Sequence, residues 1–383
     1  MAGGRSLQRV EVSRSALVHN LDQFRRLLGP RRRLLAVVKA NAYGHGLVEV
    51  SRIVLAAGAD WLGVNSFEEG LALREVGVAA PVLVLGYVPL ESLSDAVARD
   101  LRFVVYNEET LARLGPAAAR GGRSARIHVK VETGTHRQGV RREEVVRFVR
   151  RAQRIPGVVV EGLSSHFANI EDTTSDEYPS QQLAAFREAC RRVREAGLRV
   201  PLRHMACTAA AVLFPATYFN MARVGIGLYG LWPSKETYVS CLLRKRTPLR
   251  LRPALSWKAR IVQVKDVPAG AFVGYGCSYR TTRRTRLAVV PVGYYDGYSR
   301  NLSNAAHVLV RGRRAPVRGR VAMDFFTADV TDIPGVRLED EAVLIGRDGG
   351  ERITVDQLAA LSGTIGYEVV SRINPLVPRV VVR

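Results

Sequence analysis

Apolar segments of strand length recur through the first two thirds of the chain, at residues 34–38, 61–64, 82–85, 103–106, 127–131, 158–163, 202–206 and 222–228. Between most of them the apolar positions return every three or four residues, at 47–57, 67–76, 89–98, 108–120, 143–154, 180–196 and, more briefly, 208–214. Such alternation predicts parallel strands joined by right-handed crossovers. Eight strands is the number that closes a (β/α)8, TIM-like barrel. An open doubly wound sheet is the competitor, but no G-x-G-x-x-G follows the first strand. Ahead of this series, residues 8–12 read as a short strand. Residues 14–28 read as a helix with Leu17, Leu21, Phe24 and Leu28 on one face, ended by Gly29-Pro30.

Past Tyr229 the pattern changes. Residues 239–252 read as a linker. The runs at 255–267, 287–292, 307–313, 315–321, 325–330, 342–345 and 379–382 are β-rich and punctuated by Gly and Pro, with one helix at 354–361. This predicts a second, mostly antiparallel β domain. The expected division is therefore α/β, with a barrel over 1–240 and a β domain over 241–383.

Composition changes this picture little. Hydrophobic residues at 47% and charged ones at 24% are ordinary for a globular chain. The net charge of +22 raises nucleic acid as a partner, but the arginines are spread along the whole sequence and no nucleic-acid module is visible. Cys190, Cys207, Cys241 and Cys277 form no close pair and no metal spacing, as expected of free thiols in a reducing compartment. Residues 1–12 lack the apolar stretch of a secretory signal, and no run approaches a membrane span. The expectation is a cytoplasmic protein with no metal site and neither nucleic acid nor membrane as partner.

The candidate chemistry starts at Val37-Val38-Lys39-Ala40-Asn41-Ala42-Tyr43-Gly44-His45-Gly46, where the first barrel strand ends on a lysine. Lysine is scarce here: Lys39, Lys130, Lys235, Lys245, Lys258 and Lys265 stand in a chain otherwise saturated with arginine. Arginine keeps its proton, whereas a partly buried lysine can lose one and attack a carbonyl. Taken alone, the stretch fits a snorkelling lysine equally well. Barrel chemistry sits at the carboxyl ends of the strands. There the sequence also places Lys130 with the run Glu132–Gly139, then Ser164-Ser165-His166, His204 with Thr208, and Arg223 with Gly225. Barrels often hold phosphates after strands seven and eight. Thr208 and Gly225 suit that role, though each alone reads first as an N-cap threonine and a packing glycine. An amine-forming lysine and a phosphate pocket together point to pyridoxal phosphate.

On these residues the sequence resembles the alanine racemases of the fold-type III pyridoxal-phosphate enzymes, essentially from end to end. Besides the Lys39 stretch, the resemblance is carried by Asn220–Ile226 with Leu228-Tyr229-Gly230, by Gly274-Tyr275-Gly276, by Pro291–Gly297 and by Gly319–Asp324. It implies that Lys39 carries the cofactor pyridoxal 5'-phosphate as a Schiff base and serves as base on one face of the substrate. Tyr275, from the partner subunit of a homodimer, serves the other face, with His166 as its hydrogen-bond partner. Arg223 faces the pyridine nitrogen, supported by His204. Arg137 attends the phenolic oxygen and the substrate carboxylate, and Lys130 is a lysine that relatives often carbamylate. Tyr43, Tyr367, Thr208, Gly225 and Ile226 hold the phosphate. Met323, followed by Asp324, lines the partner's substrate pocket, and Tyr294 the entrance. The implied activity is the interconversion of L- and D-alanine by two bases, supplying D-alanine for peptidoglycan. The alternative is a broad-specificity, serine or lysine racemase of the same fold. Decarboxylases of this fold type fit Tyr275 and Met323-Asp324 less well, and a non-catalytic cofactor carrier would lack the β domain. The sequence departs from the family pattern at Cys207-Thr208, at Thr135-His136 before Arg137, and at Ala322, which leaves substrate breadth and the Arg137 loop open.

Overall fold

The computed structural model describes residues 6–171, 174–244 and 249–383. The first strand, β1 (Gln8–Ser13), belongs to the second sheet and is described with it. The next eight form one parallel sheet: β2 (Arg33–Val37), β3 (Trp61–Val64), β4 (Val82–Val84), β5 (Leu101–Val105), β6 (Ala125–Lys130), β7 (Val158–Ser164), β8 (Leu202–His204) and β9 (Met221–Val224). Their order is β8-β7-β6-β5-β4-β3-β2-β9. The remaining seam, β8 to β9, is bridged by the Arg223 N–H, which donates to Ala206 O at 3.2 Å, and by the Arg203 N–H, which donates to Asn220 Oδ1 at 2.8 Å. The result is the expected eight-stranded, nearly closed barrel.

The strands are near-continuous apolar runs because both faces are covered. Residues 34–37 and Leu101–Val105 are buried without a break. Helix α1 (Arg14–Leu28) buries the predicted Leu17, Leu21, Phe24 and Leu28. Two expectations change. The run at 222–228 is extended only to Val224. Gly225 then donates its N–H to Thr208 Oγ1 at 3.0 Å, and Ile226–Tyr229 winds into a 3-10 turn. The linker expected at 239–252 opens instead as helix, Lys235–Leu243, because Ser234 caps it by accepting the Thr237 N–H at 2.9 Å. Residues 245–248 of that stretch lie outside the described residues.

The second sheet contains β1, β10 (Leu255–Arg260), β11 (Gln263–Val267), β14 (Thr285–Val290), β15 (His307–Val310), β16 (Arg313–Arg318), β17 (Phe326–Asp329), β18 (Glu341–Asp348), β19 (Glu351–Ile353) and β20 (Arg379–Val382). A separate hairpin joins β12 (Phe272–Val273) to β13 (Tyr279–Arg280). The main order is β11-β14-β17-β16-β15-β18-β10-β1-β20, with β19 on β18. Its ladders are antiparallel except β1 on β20. The run 255–267 is thus two strands with different neighbours. The opening strand, which chain order places ahead of the barrel, pairs here because β10 and β20 flank it. Helix Val355–Ser362 is capped by Thr354, and a short helix, Gly366–Ser371, follows it.

By internal packing the chain forms two compact units. One holds 6–15, Tyr43–Gly46 and Pro253–Arg383, and the other holds Ala16–Ala42 and the described part of 47–252. Among the described residues no helix is long and apolar enough to cross a membrane, and no group of His, Cys, Asp and Glu is arranged to hold a metal ion.

Candidate active site

Lys39 follows β2 directly, and the backbone beyond it is unusual. Ala40, Asn41, Ala42 and Tyr43 all have φ between +53° and +54°. Left-handed residues without a glycine cost roughly 1–2 kcal/mol each, so four in succession mark a strained turn held by its surroundings. Two side chains hold it. Glu69 accepts the N–H groups of Ala40 at 2.6 Å and Asn65 at 2.7 Å. Asn41 Oδ1 accepts the Leu47 N–H at 2.9 Å, at the start of helix Leu47–Ala56. Just upstream, the buried Tyr229 hydroxyl donates to Val37 O at 2.8 Å. Burial depresses the pKa of Lys39, and the charges of Arg137 and Arg223 depress it further against the opposing pull of Glu69. A lysine so placed releases a proton more readily than a free one.

Lys130 ends β6 and is nearly buried. Its Nζ donates to Gln138 Oε1 at 3.1 Å, and Gln138 donates to the Tyr106 hydroxyl at 2.9 Å. Burial, then Arg137 and Arg223, pull its pKa down to about 8. The loop between Val131 and Val140 carries Arg137. It is closed at its base by Glu132 N–H to Val140 O at 2.9 Å and Val140 N–H to Lys130 O at 2.8 Å. Inside it, the Glu132 carboxylate accepts the N–H groups of Gly134 at 2.5 Å and Thr135 at 2.7 Å. The Thr135 hydroxyl donates to His166 O at 2.9 Å, and Tyr178 OH to Gly134 O at 2.7 Å. Thr135, a departure from the family pattern, is thus part of the loop's anchorage. Arg137 itself is exposed.

Arg223, on β9, is the most enclosed cation of the group. Its Nη1 lies 2.6 Å from His204 Nδ1 and 3.0 Å from His204 O. Its Nη2 donates to Ser165 O at 2.8 Å and Met205 O at 3.0 Å, and lies 3.2 Å from His166 Nδ1. All five acceptors are neutral, and among the described residues no carboxylate pairs with it. Burial lowers its pKa to about 10, which leaves it charged at neutral pH. His166 and His204 are held well below the usual imidazole range, first by burial and next by Arg223, so both rings are neutral. Thr208 Oγ1, accepting from Gly225 N–H at 3.0 Å, sits beside the Gly225-Ile226 turn.

The barrel unit therefore gathers Lys39, Lys130, Arg137, His166, His204, Thr208, Arg223, Gly225 and Ile226 at the carboxyl ends of its strands. Glu69 joins them without a sequence signal, and His128 and Glu161 lie farther back, within β6 and β7. The set is electropositive and short of counter-charge, as expected where an anionic ligand binds. A phosphate beside Thr208 and Gly225, and an acceptor atom facing Arg223, would supply what the protein groups lack.

In the other unit, Tyr43 and Tyr367 set their rings 6.0 Å apart. Tyr275 is 75% exposed at the tip of the β12–β13 hairpin. It is framed by Gly274 at φ +73° and Gly276 at φ +71°. Met323 and Asp324 are exposed, and Tyr294 is partly so. The Tyr294 and Tyr295 N–H groups donate to Ala322 O and Met323 O, each at 3.0 Å, which ties the Pro291–Gly297 turn to the Met323 segment. Asp296 closes that turn by accepting the Gly293 N–H at 2.9 Å.

Comparison with known proteins gives a consistent result. The family model for the alanine racemase N-terminal domain matches residues 12–233, and that for the alanine racemase C-terminal domain matches 254–381. The alanine racemase of Symbiobacterium thermophilum is 44% identical over 96% of this chain and 95% of its own length. Alanine racemase 2 of Caldanaerobacter subterraneus subsp. tengcongensis is 39% identical over 97% and 94%. Among solved structures, alanine racemase from D-cycloserine-producing Streptomyces lavendulae superposes with a TM-score of 0.91 at 36% identity, covering 99% of this chain and 97% of that one. The enzyme from Bacillus anthracis with bound L-Ala-P gives 0.91 at 35% identity, covering 100% and 96%.

Proposed function

Because the chain belongs to the alanine racemase family across both of its domains, we propose that it interconverts L- and D-alanine with pyridoxal 5'-phosphate, and thereby supplies D-alanine for peptidoglycan in the cytoplasm. The observation that carries the reading is the buried Arg223 guanidinium with only neutral protein acceptors, at the same barrel end as the depressed Lys39 amine. The cofactor, when bound, supplies an electron sink for the bond broken at Cα.

The protein's residues supply the rest. Lys39 would hold the aldehyde and, once released by the incoming amino acid, take or return the proton at Cα on one face. Its lowered pKa suits a base at neutral pH. Arg223 can only donate, so it would leave a facing ring nitrogen unprotonated. That weakens the sink and favours return of the proton to Cα over transfer to the cofactor's carbon. Thr208, Gly225 and Ile226, with Tyr43 and Tyr367, would hold the phosphate. Arg137 would orient the substrate carboxylate. Lys130, with its pKa near 8, has enough free amine to take up CO2, and the resulting carbamate would give Arg137 an anionic neighbour.

Tyr275 would serve the opposite face from a partner subunit, with His166 as its hydrogen-bond partner and Met323 lining the partner's pocket. Exposed Phe272, Tyr275, Tyr295, Met323 and Phe325 in one unit support a homodimer, since an isolated chain rarely leaves so much apolar surface bare.

The test is an absorbance spectrum of the protein reconstituted with pyridoxal phosphate, followed by chiral analysis after incubation with L-alanine. A lysine-bound cofactor band that Lys39→Ala abolishes, together with D-alanine as product, is expected. A band surviving in Lys39→Ala would contradict the assignment. Faster turnover of serine or lysine in a panel of L-amino acids would favour the broader racemase that Cys207 and Ala322 leave open.

A further inference from the structure

The polar contacts behind Arg223 do not stop at His204. His204 Nε2 lies 2.7 Å from Nδ1 of His128, and both rings are completely buried. His128 Nε2 in turn faces Glu161 Oε2 at 3.6 Å, beyond a direct hydrogen bond, and neither atom has a hydrogen-bond partner. The Arg102 guanidinium flanks the same oxygen, its Nε 3.5 Å away, and is itself paired with Asp100 at 2.8 Å. The His128 ring is wedged edge-on against Trp61, 5.7 Å between centroids. Nothing in the proposed reaction uses His128 or Glu161.

The proton positions along this chain follow from one constraint. A guanidinium has no acceptor, so His204 Nδ1, 2.6 Å from Arg223 Nη1, must be the acceptor. A neutral His204 then carries its proton on Nε2 and donates to His128 Nδ1. His128 carries its own proton on Nε2 and presents it to the Glu161 carboxylate. Reversing either ring would set two N–H groups against each other in a site from which water is excluded. We propose that His128 and Glu161 are positioning residues for Arg223, locking His204 in the Nε2–H form so that its Nδ1 always accepts from the guanidinium. The inference deepens the racemase reading and rests on it only for the effect on activity.

The direct test is a long-range 1H–15N spectrum of the 15N-histidine-labelled protein near neutral pH, with the His128 and His204 signals assigned by their loss on substitution. Both rings are expected as neutral Nε2–H tautomers. An Nδ1–H or doubly protonated ring at either position overturns the proposal, whatever the protein's activity. In Glu161→Gln, whose amide oxygen can still accept, the Arg223 end keeps His128 in the Nε2–H form while loss of the carboxylate charge should shift its Nε2 signals; an unchanged spectrum removes Glu161 from the account. His128→Asn keeps an acceptor near the Nδ1 position and His128→Leu does not. Loss of a buried partner is expected to lower kcat roughly tenfold in His128→Leu with KM for alanine little changed, and His128→Asn to recover most of it. Equal losses in the two variants at matched Tm would reduce His128 to packing. Absence of cofactor binding and racemisation in the unaltered protein would sink the functional reading and leave the tautomer result standing by itself.

Discussion

At the scale of single residues, the candidate site rests on chemistry that a sequence displays unequally. Lys39 was legible because a lysine stood at a strand end in an arginine-rich chain. Arg223 and Tyr275 were legible only through the surrounding motifs. His128 gave no signal: it lies inside an apolar strand run, and only the neighbouring order β6-β7-β8, with Gly162 of β7 leaving room between them, brings it 2.7 Å from His204. Glu69 reads as one more helix-surface carboxylate until the backbone after Lys39 turns left-handed and needs its Ala40 N–H satisfied. If Lys39 and Tyr275 serve opposite faces, Tyr275→Phe should slow removal of the α-hydrogen from one enantiomer by roughly 100-fold or more, as is usual for a lost acid–base group. The other enantiomer should be affected far less. Rates with α-deuterated L- and D-alanine check this, and equal losses in both directions would undercut the two-base scheme.

At the scale of elements, strand–helix alternation revealed the barrel, because strands buried on both faces announce themselves as unbroken apolar runs. It did not reveal where β1 pairs. Partner choice there depends on β10 and β20, some 250 and 370 residues away. A four-charge cluster ties β1 to β10 and to the next strand, β18: Arg9 to Glu11 at 2.7 Å and to Glu341 at 2.5 Å, and Lys258 to Glu11 at 3.0 Å and to Glu341 at 3.1 Å. Burial alone would raise the pKa of Glu11, but Lys258 and Arg9 outweigh it and hold it below the usual value of 4.5. Below that pH the unfolded chain binds the proton more readily than the folded one, so the stabilisation is present above it and fades as pH falls through the folded pKa. Glu11→Gln should therefore cost on the order of 1 kcal/mol at neutral pH, with the Tm gap to the parent protein closing on acidification below 4.5. A gap that stays constant would mean the cluster is not coupled to folding.

Gly44 is a second element-scale case. Its φ is +80° and an added Cβ would run into the Val370 carbonyl. Gly58, at φ +99°, has open space around it. Gly44→Ala should lose more than ~2 kcal/mol in urea unfolding, while Gly58→Ala should lose only the backbone cost of about 1 kcal/mol. Similar losses at both positions would show that the packing of the Tyr43–Gly46 segment against the Val370 helix is loose.

At the scale of the whole molecule, the chain belongs to a family whose members match it along nearly its full length, and the β domain is where that length is informative. A barrel alone would hold a cofactor. The β domain adds an exposed tyrosine on a glycine-framed hairpin and a bare apolar surface, which the account assigns to the active site of a second copy. Neither the high net charge of +22 nor the departures at Cys207 and Ala322 enter that assignment. The most direct test is to dissociate and reassociate Lys39→Ala chains with Tyr275→Phe chains in equal amounts. In a two-fold dimer with shared sites, each mixed dimer combines both lesions in one site and leaves the other intact. Alanine racemisation should therefore return to about a quarter of the parent activity. Activity no higher than that of the two variants assayed separately would contradict a site built from two chains.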